Sequence, residues 1–313
     1  MRLVFMGTPD FAATILEGLI NSGHDIIGVV TQPDKKKGRG QEISCSPVKE
    51  LAARHGLTIY QPVKVKEQDF LDLMRELKPD AIIVAAFGQI LPKALLDIPE
   101  YGCINVHASL LPKYRGAAPI QYAILDGEKE TGVSIMYMDD GIDTGDIILQ
   151  ERLVIEPDET GGSLFDKMAA LGARVLLVAL EQIEKGTATR TKQDHEQASY
   201  VKMMTKEMGH VDFSLPAVKI ERMIRGLNPW PSAYTFLDGK TLKLWKAEVE
   251  EADNADTDSR KPGEIVEIRK DGLVVNTGEG RLVIKELQLE GKKRMTADAF
   301  LRGYQLTAGV ILG

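Results

Sequence analysis

Three short stretches hold side chains whose types and spacing could carry out chemistry on a carbonyl: Asn105-Val-His107, Ser109-Leu-Leu-Pro-Lys-Tyr-Arg-Gly116 and Asp139-Asp-Gly-Ile-Asp143-Thr-Gly-Asp146. If Cys103 to Ala108 is a strand, residues two apart share a face, so Asn105 and His107 project to the same side. An amide beside an imidazole in an apolar strand costs free energy if both are buried without partners. The chemistry they suit is attack by an amine on a carbonyl. Asn105 would donate to the developing oxyanion, and His107 would shuttle the proton. Asp143, on a Gly-rich turn, would orient His107 or take the amine's proton. The plainer reading of the same residues, a satisfied structural histidine among ordinary Asp-Gly turns, stays open at this point.

Two basic runs could contact an anion. Lys35, Lys36, Lys37 and Arg39 follow a strand, with glycines on either side of Arg39, as a mobile loop would have. Lys292, Lys293 and Arg294 form a second run near the end of the chain. Each also reads as a solvated surface run. The net charge of −7 argues against coating nucleic acid through bulk charge. From Lys206 onward, 17 basic residues match 17 acidic ones, so the whole excess lies earlier in the chain. An RNA partner would need local patches. Cys45 and Cys103 make no disulfide framework and no zinc spacing, as expected of a reducing compartment. Neither an export signal nor a run near the ~20 apolar residues of a membrane span is evident. These features point to a soluble, cytoplasmic protein.

The elements that must position these residues follow from periodicity. An apolar run at Arg2–Met6, helical spacing through Leu19 and a second run at Ile26–Thr31 open a parallel α/β sheet. Helices are expected over Pro47–His55 and Glu67–Leu77, with a short strand between them at Thr58–Tyr60. Ala81–Phe87 is apolar throughout, as a central strand covered on both faces must be. Cys103–Ser109 is the next strand, followed by a helix over Ala118–Leu125 and a hairpin-like pair at Gly132–Tyr137 and Asp146–Ile155. An amphipathic helix over Ser163–Glu184 closes the layer. The polar, aperiodic stretch that follows reads as a linker. After it come a short helix, the turn Asn228–Ser232, and short runs separated by DGK, KDG and GEG turns, as in a small antiparallel barrel. The acidic stretch Glu250–Asp258 reads as a solvated loop. The expected fold is therefore α/β, with a Rossmann-like, mostly parallel sheet domain over 1–188, a linker over 189–204 and an OB-like antiparallel β-barrel over 205–313.

Taken together and in this order, the three motifs resemble those of the folate-dependent formyltransferase family. The resemblance covers essentially the whole chain. Gly7-Thr-Pro-Asp-Phe11, the basic loop at 34–40, Phe87-Gly-Gln-Ile-Leu-Pro92 and Gly226-Leu-Asn-Pro-Trp-Pro231 are similar to the branch whose acceptor is initiator methionyl-tRNA. What the resemblance implies is transfer of a formyl group from 10-formyltetrahydrofolate to the amino group of methionyl-tRNA, for translation initiation. It carries the catalytic roles to Asn105, His107 and Asp143. It sets the folate against Phe87, Gly88, Gln89, Ile90 and Leu91, and against Ser109, Leu110, Leu111 and Pro112. It gives tRNA contacts to Lys35, Lys36, Lys37, Arg39, Lys206, Lys292, Lys293 and Arg294. No metal is needed, because an activated donor and an oriented amine require positioning and oxyanion stabilisation. No protein partner is implied.

Three rivals remain on this reading. A small-molecule formyltransferase would use the same catalytic domain, but the first turn lacks a Gly-rich phosphate fingerprint, and Pro9 removes a backbone donor there. A formyl-folate hydrolase could share all three catalytic residues. A non-catalytic RNA-binding module would leave the Asn-x-His strand unexplained.

Overall fold

The computed structural model describes residues 1–37, 42–251 and 261–313, with backbone alone over 35–37 and 42–43. Two compact units emerge: Met1–Pro119 with Glu130–Val154 and Phe165–Val201, and Ile120–Lys129 with Ile155–Leu164 and Lys202–Gly313.

The first unit is built on β1 (Arg2–Gly7), which turns through Thr8 and Pro9 into α1 (Asp10–Ile20) and returns as β2 (Asp25–Val30). A small antiparallel pair follows, β3 (Lys35–Lys37) against β4 (Glu42–Ser44). Glycines and charge predict only a loop here; Lys35–Lys37 instead lies in strand geometry, while Arg39 falls outside the described residues. Next come α2 (Pro47–Arg54), β5 (Ile59–Tyr60), α3 (Gln68–Leu77), β6 (Ala81–Ala85), α4 (Lys93–Leu96), β7 (Cys103–His107) and β8 (Arg115–Gly116). α5 (Pro119–Asp126) leads to the antiparallel pair β9 (Glu130–Tyr137) and β10 (Ile147–Val154), and then to the long α6 (Gly161–Glu184).

The sheet order is β10-β9-β7-β6-β1-β2-β5. β5, β2, β1, β6 and β7 run parallel, and β9 is antiparallel to β7. Successive strands lie first on one side of β1 and then on the other, so the chain has a topological switch at β1 and β6, where open α/β sheets take ligands. Alternation along the strands divides the core into two faces. Val4, Met6, Ile82, Val84 and Cys103 pack with Phe70, Leu71 and Met74 of α3. On the other face Phe11 of α1 meets Phe165 of α6 edge-on, ring centroids 5.7 Å apart. Gly172 of α6 lies so close to β7 that an added Cβ would stand 3.0 Å from Val106.

The stretch after α6 is not a free linker through its whole length. β11 (Tyr200–Val201) pairs parallel to β8, Gln193 is buried, and Ser199 O accepts from the Arg115 amide at 2.8 Å. Polar residues without periodicity read as a loop whether they face water or a buried hydrogen-bond partner, which is why the pattern did not reveal this.

The second unit carries α7 (Ala217–Gly226), β12 (Ala233–Leu237), β13 (Lys240–Glu250), β14 (Ile265–Arg269), β15 (Gly272–Asn276), β16 (Arg281–Leu289), β17 (Met295–Thr296) and α8 (Ala297–Leu301). The strands form an antiparallel sheet in the order β12-β13-β16-β15-β14, with β17 beside β16. The last residues close it: Gly313 N donates to Phe236 O on β12, and Leu312 N donates to Gly263 O just before β14. Ile220 and Ile224 of α7 seal a core of Leu242, Leu244, Leu273, Val275, Ile284 and Leu287. This is the OB-like arrangement expected from the turn spacing. The acidic stretch expected as a loop falls mostly outside the described residues, and Glu250 ends β13. Among the described residues no helix is long and apolar enough to cross a membrane.

Ile83, fully buried on β6 beside β1, offers a test of the first core. Ile83→Ala should destabilise that unit by about 2–5 kcal/mol through lost burial and a residual cavity, read by urea denaturation.

Candidate functional site

The polar cluster is built on the last residues of β7. Asn105 pairs with Val84 of β6 on one side and Met136 of β9 on the other, while His107 lies opposite Ser134. Both project to the face that holds Cys103, as the two-residue spacing requires. His107 is buried, and its Nε2 lies 2.9 Å from Tyr114 O. A carbonyl only accepts, so Nε2 carries a proton and donates. The other ring nitrogen, Nδ1, faces Asp143 Oδ2 at 3.6 Å. In the neutral ring that nitrogen holds the lone pair, and a proton taken up there would sit opposite a carboxylate.

Asp143 ties the cluster together. Its Oδ1 accepts from Asn105 Nδ2 at 3.3 Å, and its Oδ2 accepts from the Gly116 amide at 2.8 Å. An Asn side-chain amide has two N–H donors, so one remains for a ligand oxygen. Asp143 sits at φ 53°, a left-handed conformation uncommon outside glycine and concentrated at functional turns. The turn holding it is pinned at both ends. Asp139 Oδ1 accepts from Gly141 N and Thr144 Oγ1, and Tyr137 N donates to Asp146 O. Gly145 approaches so closely that a Cβ there would lie 1.9 Å from Tyr137 O.

The loop 109–116 is held by the fully buried Ser134. Its Oγ donates to Ser109 O (2.6 Å) and accepts from Leu111 N (3.0 Å) and Gln150 Nε2 (2.7 Å). Ser109 Oγ donates in turn to Lys113 O. Leu111 packs on Met136 and Ile147, whereas Leu110 and Pro112 are half-buried. Along the neighbouring strand end, Phe87 and Leu91 turn into the core, and Gln89 is committed to Val63 O and Val65 N. Gly88 has φ 80°. Of that segment Ile90 is the exposed large side chain, at 80%, and Ile142 beside Asp143 is also exposed. So the side chains of Phe87 and Leu91 belong to the core beneath this segment.

Two neighbouring groups have shifted proton affinities. Burial pushes the Cys103 thiol up to about 12, so it stays protonated and inert. Asp34, just before β3, is held below the usual carboxylate range by Lys49 and then by Gln61, which ties the base of the basic segment to α2.

Among the other basic candidates, Lys206 is exposed at a short 3₁₀ turn, and Lys292 and Lys293 are exposed after β16. Arg294 is already engaged: it pairs with Glu286 and lies over the Trp245 ring, 5.1 Å from the centroid.

Two residues that sequence reasoning passed over belong to the site. Arg115 stood in a quoted motif without a role, and it is 1% exposed. Gln193 stood in the presumed linker, and its amide reaches Asp143 O and Gly145 O. No periodic signal marks a buried polar contact made across 50 residues of sequence. Ser134→Ala should leave the Leu111 amide unsatisfied in a buried place, costing about 1–3 kcal/mol and loosening the 109–116 loop. Chemical denaturation, together with amide exchange at Leu111, checks this.

Known proteins resemble this chain over its whole length. The formyl transferase family matches residues 1–180, and the formyl transferase C-terminal domain matches 203–305. The methionyl-tRNA formyltransferase of Lachnospira eligens is 52% identical over 316 residues, covering 100% of both chains. That of Agathobacter rectalis is 53% identical over 309 residues, covering 99% of this chain and 98% of its own. The crystal structure of the Helicobacter canadensis N-formyltransferase with folinic acid and dTDP-3-aminofucose superposes at TM-score 0.67 and 20% identity, covering 91% of this chain and 98% of that one. At that identity the likeness concerns the fold alone. With both halves matched and full-length relatives at such identity, the chain belongs to the formyl transferase family, among the methionyl-tRNA formyltransferases.

Proposed function

We propose that this protein transfers the formyl group of 10-formyltetrahydrofolate to the α-amino group of initiator methionyl-tRNA, with Asn105, His107 and Asp143 as the catalytic residues. The observation that carries the catalytic assignment is their convergence at the end of β7, with Asp143 bonded to Asn105 and facing His107 Nδ1.

The donor supplies an activated formyl carbon attached to nitrogen. The free Asn105 N–H is suited to donate to the formyl oxygen as negative charge gathers there, a role worth roughly 10²–10³-fold in rate. The incoming amine is cationic in water and must lose a proton to attack. That first proton leaves to solvent; after attack the nitrogen loses a second, for which His107 Nδ1 and Asp143 Oδ2 together make the acceptor, and this one passes to the departing folate nitrogen. One carbon–nitrogen bond forms as another breaks, so the reaction needs no redox partner. Closing the site against water raises the worth of each of these contacts.

The donor is a flat ring with a polar rim, which calls for apolar surface near polar groups. Exposed Ile142, next to Asp143, offers apolar surface beside the cluster, exposed Ile90 offers more after β6, and Gly88 at φ 80° turns the backbone between β6 and Ile90. We assign the segments 87–91 and 109–112 to that role. On the acceptor side, Lys35, Lys36, Lys37 and Arg39 supply positive charge on the catalytic unit, with Lys206, Lys292, Lys293 and Arg294 on the second unit. This local distribution reconciles RNA binding with a net charge of −7. The domain division 1–188, 189–204 and 205–313 is proposed as functional, with transfer in the first part and tRNA holding in the last. A charged-tRNA substrate puts the enzyme in the cytoplasm.

Incubation with 10-formyltetrahydrofolate and methionyl-tRNA should give N-formylmethionyl-tRNA, while uncharged tRNA, free methionine and water give no product. Folate turnover without formylated tRNA would hand the reading to a hydrolase or a small-molecule formyltransferase. His107→Ala should lower single-turnover rates roughly 10²–10⁴-fold with folate affinity retained. Arg39→Ala should weaken use of methionyl-tRNA far more than folate binding, checked by comparing the KM for tRNA with the folate Kd; equal losses would remove Arg39 from the acceptor side.

A further inference from the structure

Arg115 is a permanent cation almost wholly buried, and the partners described for it are neutral. Its Nε and Nη2 donate to Gln193 Oε1 at 3.1 and 2.7 Å, and its Nη1 donates to Tyr200 OH at 3.0 Å. His195 Nδ1 lies 3.3 Å from both terminal nitrogens. The guanidinium also stands over the Tyr200 ring, 5.6 Å from its centroid. Leaving a buried charge so served is costly unless its fork is filled, and here the filling is done largely by one amide.

That arrangement dictates which way the Gln193 amide points. The oxygen must face the guanidinium, because only an acceptor can take those two donors. The NH₂ group is then turned to the other side, where it donates to Asp143 O at 2.9 Å and Gly145 O at 2.8 Å. These two carbonyls flank Thr144 on the turn that holds Asp143 at φ 53°. Arg115 and Gly116 form β8, and the Gly116 amide donates to Asp143 Oδ2. The carboxylate of Asp143 and its own main chain are therefore fixed separately, one by Gly116 and the other by Gln193.

We propose that Gln193, oriented by buried Arg115, is a positioning residue for the transfer reaction. It holds the Asp143 turn so that the carboxylate stays opposite His107 Nδ1. Gln193 touches neither substrate nor reacting atom; it acts through Asp143. This inference rests on the roles proposed above for Asp143 and His107.

Gln193→Glu tests it, because the substitution keeps the shape and separates the two faces of the amide. Toward Arg115 the new carboxylate is a better partner. Toward Asp143 O and Gly145 O it replaces two donors with an acceptor, which repels both carbonyls. Expected in the full-length enzyme is a thermal midpoint at or above wild type, with kcat lowered roughly 10- to 100-fold, as displaced catalytic groups give. KM for folate and for methionyl-tRNA should stay within about two-fold, since binding groups are untouched. The Gly116 amide, released from Asp143 Oδ2, should exchange its hydrogen faster. Gln193→Met, which offers neither donor nor acceptor, should lower both stability and kcat.

Wild-type kcat in Gln193→Glu overturns the proposal. So does a fall in kcat with Gly116 exchange unchanged, or a variant that loses stability and substrate affinity together. If the wild-type protein itself formylates no methionyl-tRNA, the proposed reaction fails, and Gly116 exchange in Gln193→Glu still decides whether Gln193 positions Asp143.

Discussion

The carboxylate of Asp143 is the point on which the active unit depends. It sits between an amide and an imidazole nitrogen from β7 and a backbone N–H from β8, and Asp143 itself comes from a third stretch of chain. A carboxylate drawn from water into such a place is stable only while its two donors, Asn105 Nδ2 and Gly116 N, stay in reach. The surrounding structure can be read as the set of supports that keep them there. β7 is clamped between β6 and β9, so Asn105 and His107 have no freedom along the strand. The turn 139–146 is closed by its own Asp139 and by the close packing of Gly145 on Tyr137.

The same logic explains why the polar loops are so heavily bonded. Ser134, with no exposure at all, satisfies Ser109 O, Leu111 N and Gln150 at once, and fixes the loop that runs from His107 to Gly116. Tyr114 O, on that loop, takes the proton of His107 Nε2 and so decides which ring nitrogen is left to face Asp143. Tautomer choice is thus set by a main-chain carbonyl, and the residue that carries it is held through its own amide, which donates to Ser199 Oγ. Hydrogen bonding here serves precision of placement more than net stability, because each bond replaces one to water.

Charge is distributed with the same economy. The excess of acidic residues lies in the first two-thirds of the sequence, yet the run that begins with β3 is basic, and its base is held by the Asp34–Lys49 pair. In the second unit the basic run after β16 is divided: Arg294 is tied to Glu286 and the Trp245 ring, while Lys292 and Lys293 face solvent. Exposed lysines supply long-range attraction for a polyanion, and an engaged arginine adds little until its carboxylate is displaced.

Much of this was legible in the sequence, for identifiable reasons. Apolar runs such as Ala81–Phe87 have to be central strands, because only burial on both faces accommodates them. Asn105 and His107 share a side because strand geometry has a period of two. The motif order carried the family. Tertiary structure alone decided what those patterns could not express. Phe87 and Leu91 look like ligand-facing neighbours of Ile90, yet they point into the core, because the chain leaves strand geometry after Ala85 and the period no longer applies. Arg115 and Gln193 are remote in sequence and polar, so no local rule places them indoors; they meet because β8 and β11 pair. Local chemistry determines which face a residue shares with its neighbours, and only long-range pairing determines what that face is set against.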